Sequence, residues 1–351
     1  MTDNSRPIEA GVIVVGVDTH KDVHVAVALD HLGRRLDQQD APSTPAGLRM
    51  LLSWARQASG RRVWGIEGTG SYGATLTTLL RASGETVFEV SRPTRRLRRD
   101  RGKSDPIDAE AAARAVLAGQ FLGAPKATDQ VSESLRQLRA TRRSAIKART
   151  QAANLLQALL VTAPADFRTS IDFGTVRDRT LRCARLRPGD QCQPREACKT
   201  ALRSTARRWL HLDEEITTLT AMIAGLTADA APALLDQYGV GPDVAAALLI
   251  AAGGNPDRLR TEASFAALCG VNPIPASSGK THRHRLNRGG DRQANAALHT
   301  VALVRMRSDP RTREYAAKRV KQGLSRRDIM RCLKRYIAHE LYPLLAVPQA
   351  A

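Results

Sequence analysis

Val12-Ile13-Val14-Val15-Gly16-Val17-Asp18-Thr19-His20-Lys21-Asp22-Val23-His24-Val25-Ala26-Val27-Ala28-Leu29 decides the fold of this chain. Residues 12–18 are a β-branched apolar run that ends on an acid, and 23–29 alternate with Val23, Val25, Val27 and Leu29 on one face. Gly33 marks a turn, and a weaker strand is expected over 34–38, which makes a β-meander. Downstream, a helix fits 44–58, opened by Ser43 or Thr44 and Pro45. Val63-Trp64-Gly65-Ile66-Glu67 is a short strand that also ends on an acid. A helix over 72–83, a strand over 86–90 and a helix from 105 to about 118 follow. Three strands followed by alternating helices and strands predict a ribonuclease-H-like α/β domain. In open sheets sites gather at strand ends, where Asp18 and Glu67 stand.

The helix beginning near 105 is opened by Gly102-Lys103-Ser104-Asp105-Pro106-Ile107-Asp108-Ala109. Asp105 and Asp108 are three apart and share a helix face. Two readings stand side by side. Asp105 is a plausible N-cap before Pro106, with Asp108 facing the positive helix end. Alternatively, both carboxylates point at one spot and hold Mg²⁺ or Mn²⁺ for phosphodiester chemistry. Just upstream, Arg92 to Lys103 carries seven Arg or Lys against one Asp, including Arg95, Arg96, Arg98, Arg99 and Lys103, a predicted phosphate-binding surface.

Composition agrees with a polyanionic partner. The 351 residues carry 54 Lys or Arg against 34 Asp or Glu, a net charge of +20, which speaks to partners rather than fold. Aromatic residues are only 4%, so phosphate contact rather than base stacking should dominate. The apolar share of 42% suffices for real cores, and the length allows two or three domains. No signal or membrane-spanning stretch is seen, and the five cysteines suit a reducing cytoplasm. Cys183, Cys192 and Cys198, with His211 beyond, lack CxxC spacing and do not read as a zinc site.

From about 130 the pattern becomes helical. Leu135, Leu138, Arg142, Ala145, Arg149, Ala152, Leu156 and Leu159 follow 3-4 spacing, as do Trp209, Leu212, Ile216, Leu219, Ile223 and Leu226. These read as coiled-coil arms, with a role in oligomerisation favoured over internal packing. Residues 162–200 between them read as an inserted loop region. Tyr238-Gly239-Val240-Gly241-Pro242 opens an Ala/Leu helix and resembles a helix-hairpin-helix turn, in which Gly239 and Gly241 would offer backbone N–H groups to a phosphate. Ser277 and Ser278 then fall in a loop after Pro273 and Pro275. A basic stretch with Lys280, Arg283, Arg285 and Arg288 follows. A serine there is either a turn residue or a nucleophile whose phosphoryl oxygens the cations hold. Three helices, over 291–306, 311–322 and 326–340, complete the chain. The predicted domains are 1–125, 126–228 and 229–351.

In order along the chain, Gly16-Val17-Asp18-Thr19-His20-Lys21-Asp22, Ile66-Glu67-Gly68-Thr69-Gly70-Ser71-Tyr72-Gly73, Gly102-Lys103-Ser104-Asp105 with Asp108-Ala109, the Gly-x-Gly-Pro turn, the Gly-Val-x-Pro segment and Ser278-Gly279-Lys280 resemble the DEDD-type transposases of bacterial insertion sequences, related to the Piv DNA invertases. The resemblance implies a RuvC-like N-terminal domain whose tetrad is Asp18, Glu67, Asp105 and Asp108, binding Mg²⁺ or Mn²⁺. It implies a coiled-coil middle and a mainly helical C-terminal transposase domain. Its serine nucleophile maps best onto Ser278, which Gly279 follows, with Ser277 as the alternative. It further implies DNA partners (element ends and target), homo-oligomers up to tetramers with shared active sites and, in some members, a structured guide RNA. Alternatives are an RNA-independent invertase, a metal-dependent resolvase-type nuclease with no covalent serine step, and a non-enzymatic basic nucleic-acid-binding protein.

Overall fold

The computed structural model describes residues 9–90, 104–119, 122–126, 131–171, 174–253, 259, 261–277 and 284–345. The chain divides into two compact units, Met1–Gln130 with Ala252–Phe265, and Val131–Ala251 with Ala266–Ala351.

The first unit is built on one mixed sheet. Its strands are β1 (Ile13–Thr19), β2 (Val23–Leu29), β3 (Arg35–Pro42), β4 (Arg62–Glu67), β5 (Thr86–Val90) and the short β6 (Leu122–Gly123), in the order β3-β2-β1-β4-β5-β6. The first three form the expected antiparallel meander, β1, β4 and β5 run parallel, and β6 returns antiparallel. β3 reaches further than the predicted 34–38. Its sequence, Arg-Leu-Asp-Gln-Gln-Asp-Ala-Pro, is mostly exposed, and a polar edge strand carries little apolar alternation to read while discouraging edge-to-edge pairing.

Side-chain alternation sends the two faces of the sheet to different helices. Ile13, Val15 and Val17 of β1 join Trp64 and Ile66 of β4 in a core shared with α1 (Pro45–Gln57) and α2 (Ala74–Ala82). Thr44 caps α1 by accepting from the Gly47 N–H at 3.2 Å. Leu48, Leu51, Leu52 and Ala55 are its buried stripe. Burying each such Leu is worth about 1.5–3 kcal/mol. On the opposite face, Val12, Val14, Val25, Val27, Leu29, Val63 and Val90 pack on Ala109, Ala112, Ala113 and Val116 of α3 (Asp105–Leu117).

That second face explains why α3 is alanine-rich. Gly16 and Gly65 are register partners on β1 and β4. A Cβ on Gly16 would lie 2.0 Å from the Ala109 carbonyl oxygen and 2.4 Å from the Ala113 nitrogen, and one on Gly65 would lie 2.6 Å from Val116 Cγ2. The paired glycines leave a trough, and the small side chains of α3 let its backbone descend into it. The first turn of α3 is thereby brought to the end of β1.

The second unit is helical apart from one short hairpin. Its long helices α4 (Val131–Thr162) and α7 (Pro194–Ala230) pack along one another. Arg142 meets Thr220, while Arg149 meets both Asp213 and the Trp209 ring, so partners descend as numbering ascends and the pair is antiparallel. Leu135, Ala145, Ala152, Leu156 and Leu160 supply one side of the seam, and Leu202, Ala206, Trp209, Ile216 and Ile223 the other. Arg142 and Arg149 interrupt the apolar repeat because each finds a polar or aromatic partner on α7. The insert read as loop contains α5 (Ala165–Thr169) and α6 (Val176–Ala184), the latter started by a Thr175/Asp178 capping box. Phe167, Ile171 and Cys183 are buried against α4 and α7. This region eluded periodicity because each helix is too short to show a repeat.

Beyond α7, α8 (Pro232–Leu235) leads through the Gly239 turn to α9 (Pro242–Ala252), which is buried nearly all round. α10 (Glu262–Leu268) precedes β7 (Ile274–Pro275) and β8 (His284–Arg285), which pair antiparallel. α11 (Arg292–Ser308), α12 (Pro310–Lys321) and α13 (Arg326–Leu345) follow, close to the predicted spans. Among the described residues no helix is long and apolar enough to cross a membrane.

Candidate functional site

Asp18 is the last even-numbered residue of β1, on the face that carries Gly16 and receives α3. Glu67 ends β4 on the same face, since Val63 points there while Trp64 and Ile66 point away. The meander and the glycine trough thus direct both strand-end acids towards the first turn of α3, which carries Asp105 and Asp108.

The expected capping role moves by one residue. Ser104, not Asp105, is the N-cap: its backbone is extended (φ −150°, ψ 152°) and its carbonyl accepts the Asp108 N–H at 3.0 Å. Asp105 already has helical neighbours and turns its carboxylate to His20, whose Nε2 lies 3.3 Å from Asp105 Oδ1 and 3.1 Å from Asp18 Oδ2. Asp18, His20 and Asp105 therefore offer ligand atoms all within 4.8 Å of one another. Asp18 and Asp108 are buried, whereas Asp105 and His20 are about half exposed in their side chains.

Electrostatics ties in the other two acids. Burial raises the Asp18 carboxyl above its ordinary value; the neighbouring His20 opposes this, and the charges of Asp108 and Glu67 add to it. Asp108 and Glu67 fall outside the tightest grouping but lie near enough to act on Asp18. Glu67 is further fixed through its backbone, whose carbonyl accepts the Thr19 hydroxyl at 2.8 Å. A buried carboxylate beside further carboxylates is a donor set suited to a hard divalent cation. The residues present fit such an ion. His20 lies outside the tetrad expected from the sequence; its position two past a strand-end acid is the one local signal for it.

The other candidates distribute differently. Arg95, Arg96, Arg98, Arg99, Lys103, Ser278, Lys280 and Arg283 lie outside the described residues. Ser277 is exposed just beyond β7, and Arg285 and Arg288 are exposed in and after β8. The β7–β8 pairing joins Ile274 with Arg285 and Pro275 with His284. Asn287 braces it by donating to Asn272 Oδ1 at 2.6 Å. Gly239 adopts φ +83° and packs on Val301 and Val304, while Gly241 faces open space. Asp243, one residue into α9, is held by Arg139 at 3.0 Å and Arg142 at 3.0 Å. The helix start at this turn thus carries an anion of its own. None of the five cysteines forms a disulfide, and Cys183 belongs to the hydrophobic core.

Two family models match the chain. Residues 15–163 match the DEDD transposase model of the IS110 type, and residues 231–317 match a model described as transposase of the IS116/IS110/IS902 family. The chain is also similar to the insertion element IS900 uncharacterized 42 kDa protein of Mycobacterium paratuberculosis, at 25% identity with 94% of each chain covered. The matches define a transposase, an enzyme that acts on DNA. The chain belongs to the IS110 family of DEDD transposases, in which a divalent metal normally serves the acidic centre.

Proposed function

We propose that this transposase moves an insertion sequence by cutting and rejoining DNA strands, with Asp18, Glu67, Asp105 and Asp108 as its metal centre and Ser278 as its nucleophile. The observation that carries the reading is that Asp18, at the end of β1 in a 3-2-1-4-5 sheet, lies in one ligand grouping with Asp105 of α3 and near enough to Asp108 and Glu67 to feel their charges, which fits the arrangement expected of a RuvC-like domain. Oxygen donors favour Mg²⁺ or Mn²⁺ over softer ions. Such a cation, when bound, neutralises charge that develops on the phosphoryl oxygens.

The chain's own residues supply the rest. Asp18 and Asp108, being buried, hold fixed positions, while half-exposed Asp105 remains accessible to solvent and substrate. The Ser278 hydroxyl attacks the scissile phosphorus. The Oγ–P bond forms, the P–O3′ bond breaks, the serine proton is lost and the departing 3′-oxygen takes one up. A 3′-hydroxyl of the partner strand then attacks the phosphoserine ester and regenerates the serine. Bond energy is conserved in the ester, so the exchange needs no nucleotide triphosphate. The exposed basic residues beside the serine loop, Arg285 and Arg288, are suited to phosphate contact.

The α4/α7 hairpin is proposed as the coiled-coil element through which copies associate, and a structured guide RNA as a second polyanionic partner, consistent with the net charge of +20. A plasmid carrying joined element ends and a target, with flanking non-coding RNA supplied or withheld, tests these points. The expected result is a protein–DNA adduct on a denaturing gel that disappears in Ser278→Ala and persists in Ser277→Ala. Nicking without adduct in Ser278→Ala would favour the plain nuclease reading.

A further inference from the structure

A cavity of about 640 Å³ lies within the second unit, between the Gly270–Pro273 and His284–Asn287 segments and the N-terminal half of α13. Its wall includes Arg285, Arg331, Lys334, Arg335 and Tyr336, with Asp328 as the carboxylate among them. Asp328 is already engaged, by Arg331 at 3.0 Å and by the Ser325 hydroxyl at 2.6 Å.

Lys334 is the unusual member. It is 9% exposed, and its Nζ donates to Asn295 Oδ1 at 2.9 Å. Asn295 is held in that orientation because its Nδ2 donates to the Cys269 carbonyl at 2.8 Å. Among the described residues no carboxylate lies within ion-pair reach of Lys334. Burial, with the charge of Arg331 adding to it, pushes the ammonium below its ordinary value. A buried cation without a counter-charge is costly, and an anion entering the cavity would relieve that cost.

The cavity is also shaped for more than an ion. Its volume falls in the range of about 300–1,000 Å³ that encloses ligands of nucleotide size. Tyr336 is 59% exposed and fixed edge-on against Tyr315, with ring centroids 5.7 Å apart, so it presents an aromatic surface at the rim. A concave, cation-walled site with an aromatic edge suits a nucleotide taken out of the duplex rather than the convex backbone of paired DNA. We infer that this cavity holds one unpaired deoxynucleotide of the DNA substrate, its phosphate against Lys334 and its base against Tyr336. The inference rests on the reading that the chain acts on DNA, and adds a subsite apart from the acidic centre.

Fluorescence anisotropy on the full chain tests it, with a fully paired DNA duplex, the same duplex carrying a single-nucleotide bulge, and a bulged RNA duplex as probes. The bulged DNA should bind tighter on the order of tenfold, the scale of one stacked base. Lys334→Met and, independently, Tyr336→Ala should each remove that preference and leave paired-duplex binding unchanged. Tyr336→Ala alters an exposed side chain, so it decides the matter even if the Lys334 variant folds poorly. Equal affinity for bulged and paired DNA overturns the inference while sparing the proposed function. A preference that survives both variants, or one confined to RNA, also overturns it. Failure to bind either DNA duplex overturns both.

Discussion

The imidazole of His20 stands 3.3 Å from the carboxylate of Asp105, so a residue just past β1 touches the first turn of a helix 85 positions further along the chain. The same nitrogen is 3.1 Å from Asp18. His20 therefore holds two acids together that would otherwise repel. Replacing it with Ala should lower the affinity for Mn²⁺ more than that for Mg²⁺, because an imidazole nitrogen is a better donor to the softer ion. Parallel calorimetric titrations measure this. Equal losses for the two ions would show that His20 only orients the acids.

Asp18 gives a pH prediction with a definite sign. Its carboxyl is raised above its ordinary value of 3.8, chiefly by burial. The folded state then holds the proton more tightly than the unfolded one, so this group's contribution to stability is present at low pH and is lost as pH rises. Asp18→Asn should melt like the wild type near pH 4 and increasingly above it towards neutrality when divalent ions are chelated. Added Mg²⁺ should reverse the order, since it stabilises only the chain that binds it. Thermal melts across pH, with and without Mg²⁺, read both effects.

Gly16 is where the fold and the site depend on one atom. Gly16→Ala would put a methyl group 2.0 Å from the Ala109 carbonyl oxygen, and lifting α3 should cost about 3 kcal/mol as overpacking. Because Asp108 rides on that helix, metal affinity should fall too. Gly70→Ala, with open space around it, should leave both unchanged. Urea denaturation alongside Mn²⁺ titration separates the two variants.

Arg305 predicts a stability effect in the second unit. It is 9% exposed and donates to the Tyr238 carbonyl at 2.8 Å and to both oxygens of Glu340 at 2.8 Å. Arg305→Ala would orphan a carbonyl and an acid, at roughly 2–3 kcal/mol, reduced because Glu340 is half exposed. Arg305→Lys should recover only part, lacking the forked geometry. Chemical denaturation measures the difference.

The meander and the parallel strands were legible because apolar alternation and strand-end acids are local signals. Asp18 could be named from residues 12–18 and Glu67 from residues 63–67. What could not be read was the reason the first turn of α3, with Asp105 and Asp108, comes to the end of β1. That depends on Gly16 and Gly65 lying side by side across β1 and β4, a register set 49 residues apart. Arg142 and Arg149 sit in the 3-4 pattern as charged members, and only the fold places Thr220, Asp213 and Trp209 opposite them on α7. Lys334 falls within the helix expected over 326–340, where nothing local marks it as buried. Only the packing of α13 on α11 buries it.

Calorimetric titration of Mn²⁺ into the full chain tests the central claim, that the acids of the first unit form a divalent-metal centre, most directly. The wild type should bind, and Asp18→Asn and Asp108→Asn should each weaken binding by on the order of tenfold or more, while Cys183→Ser, which changes a core residue of the other unit, should not. A wild type that binds no ion, or binding that survives both acidic substitutions, would contradict the account.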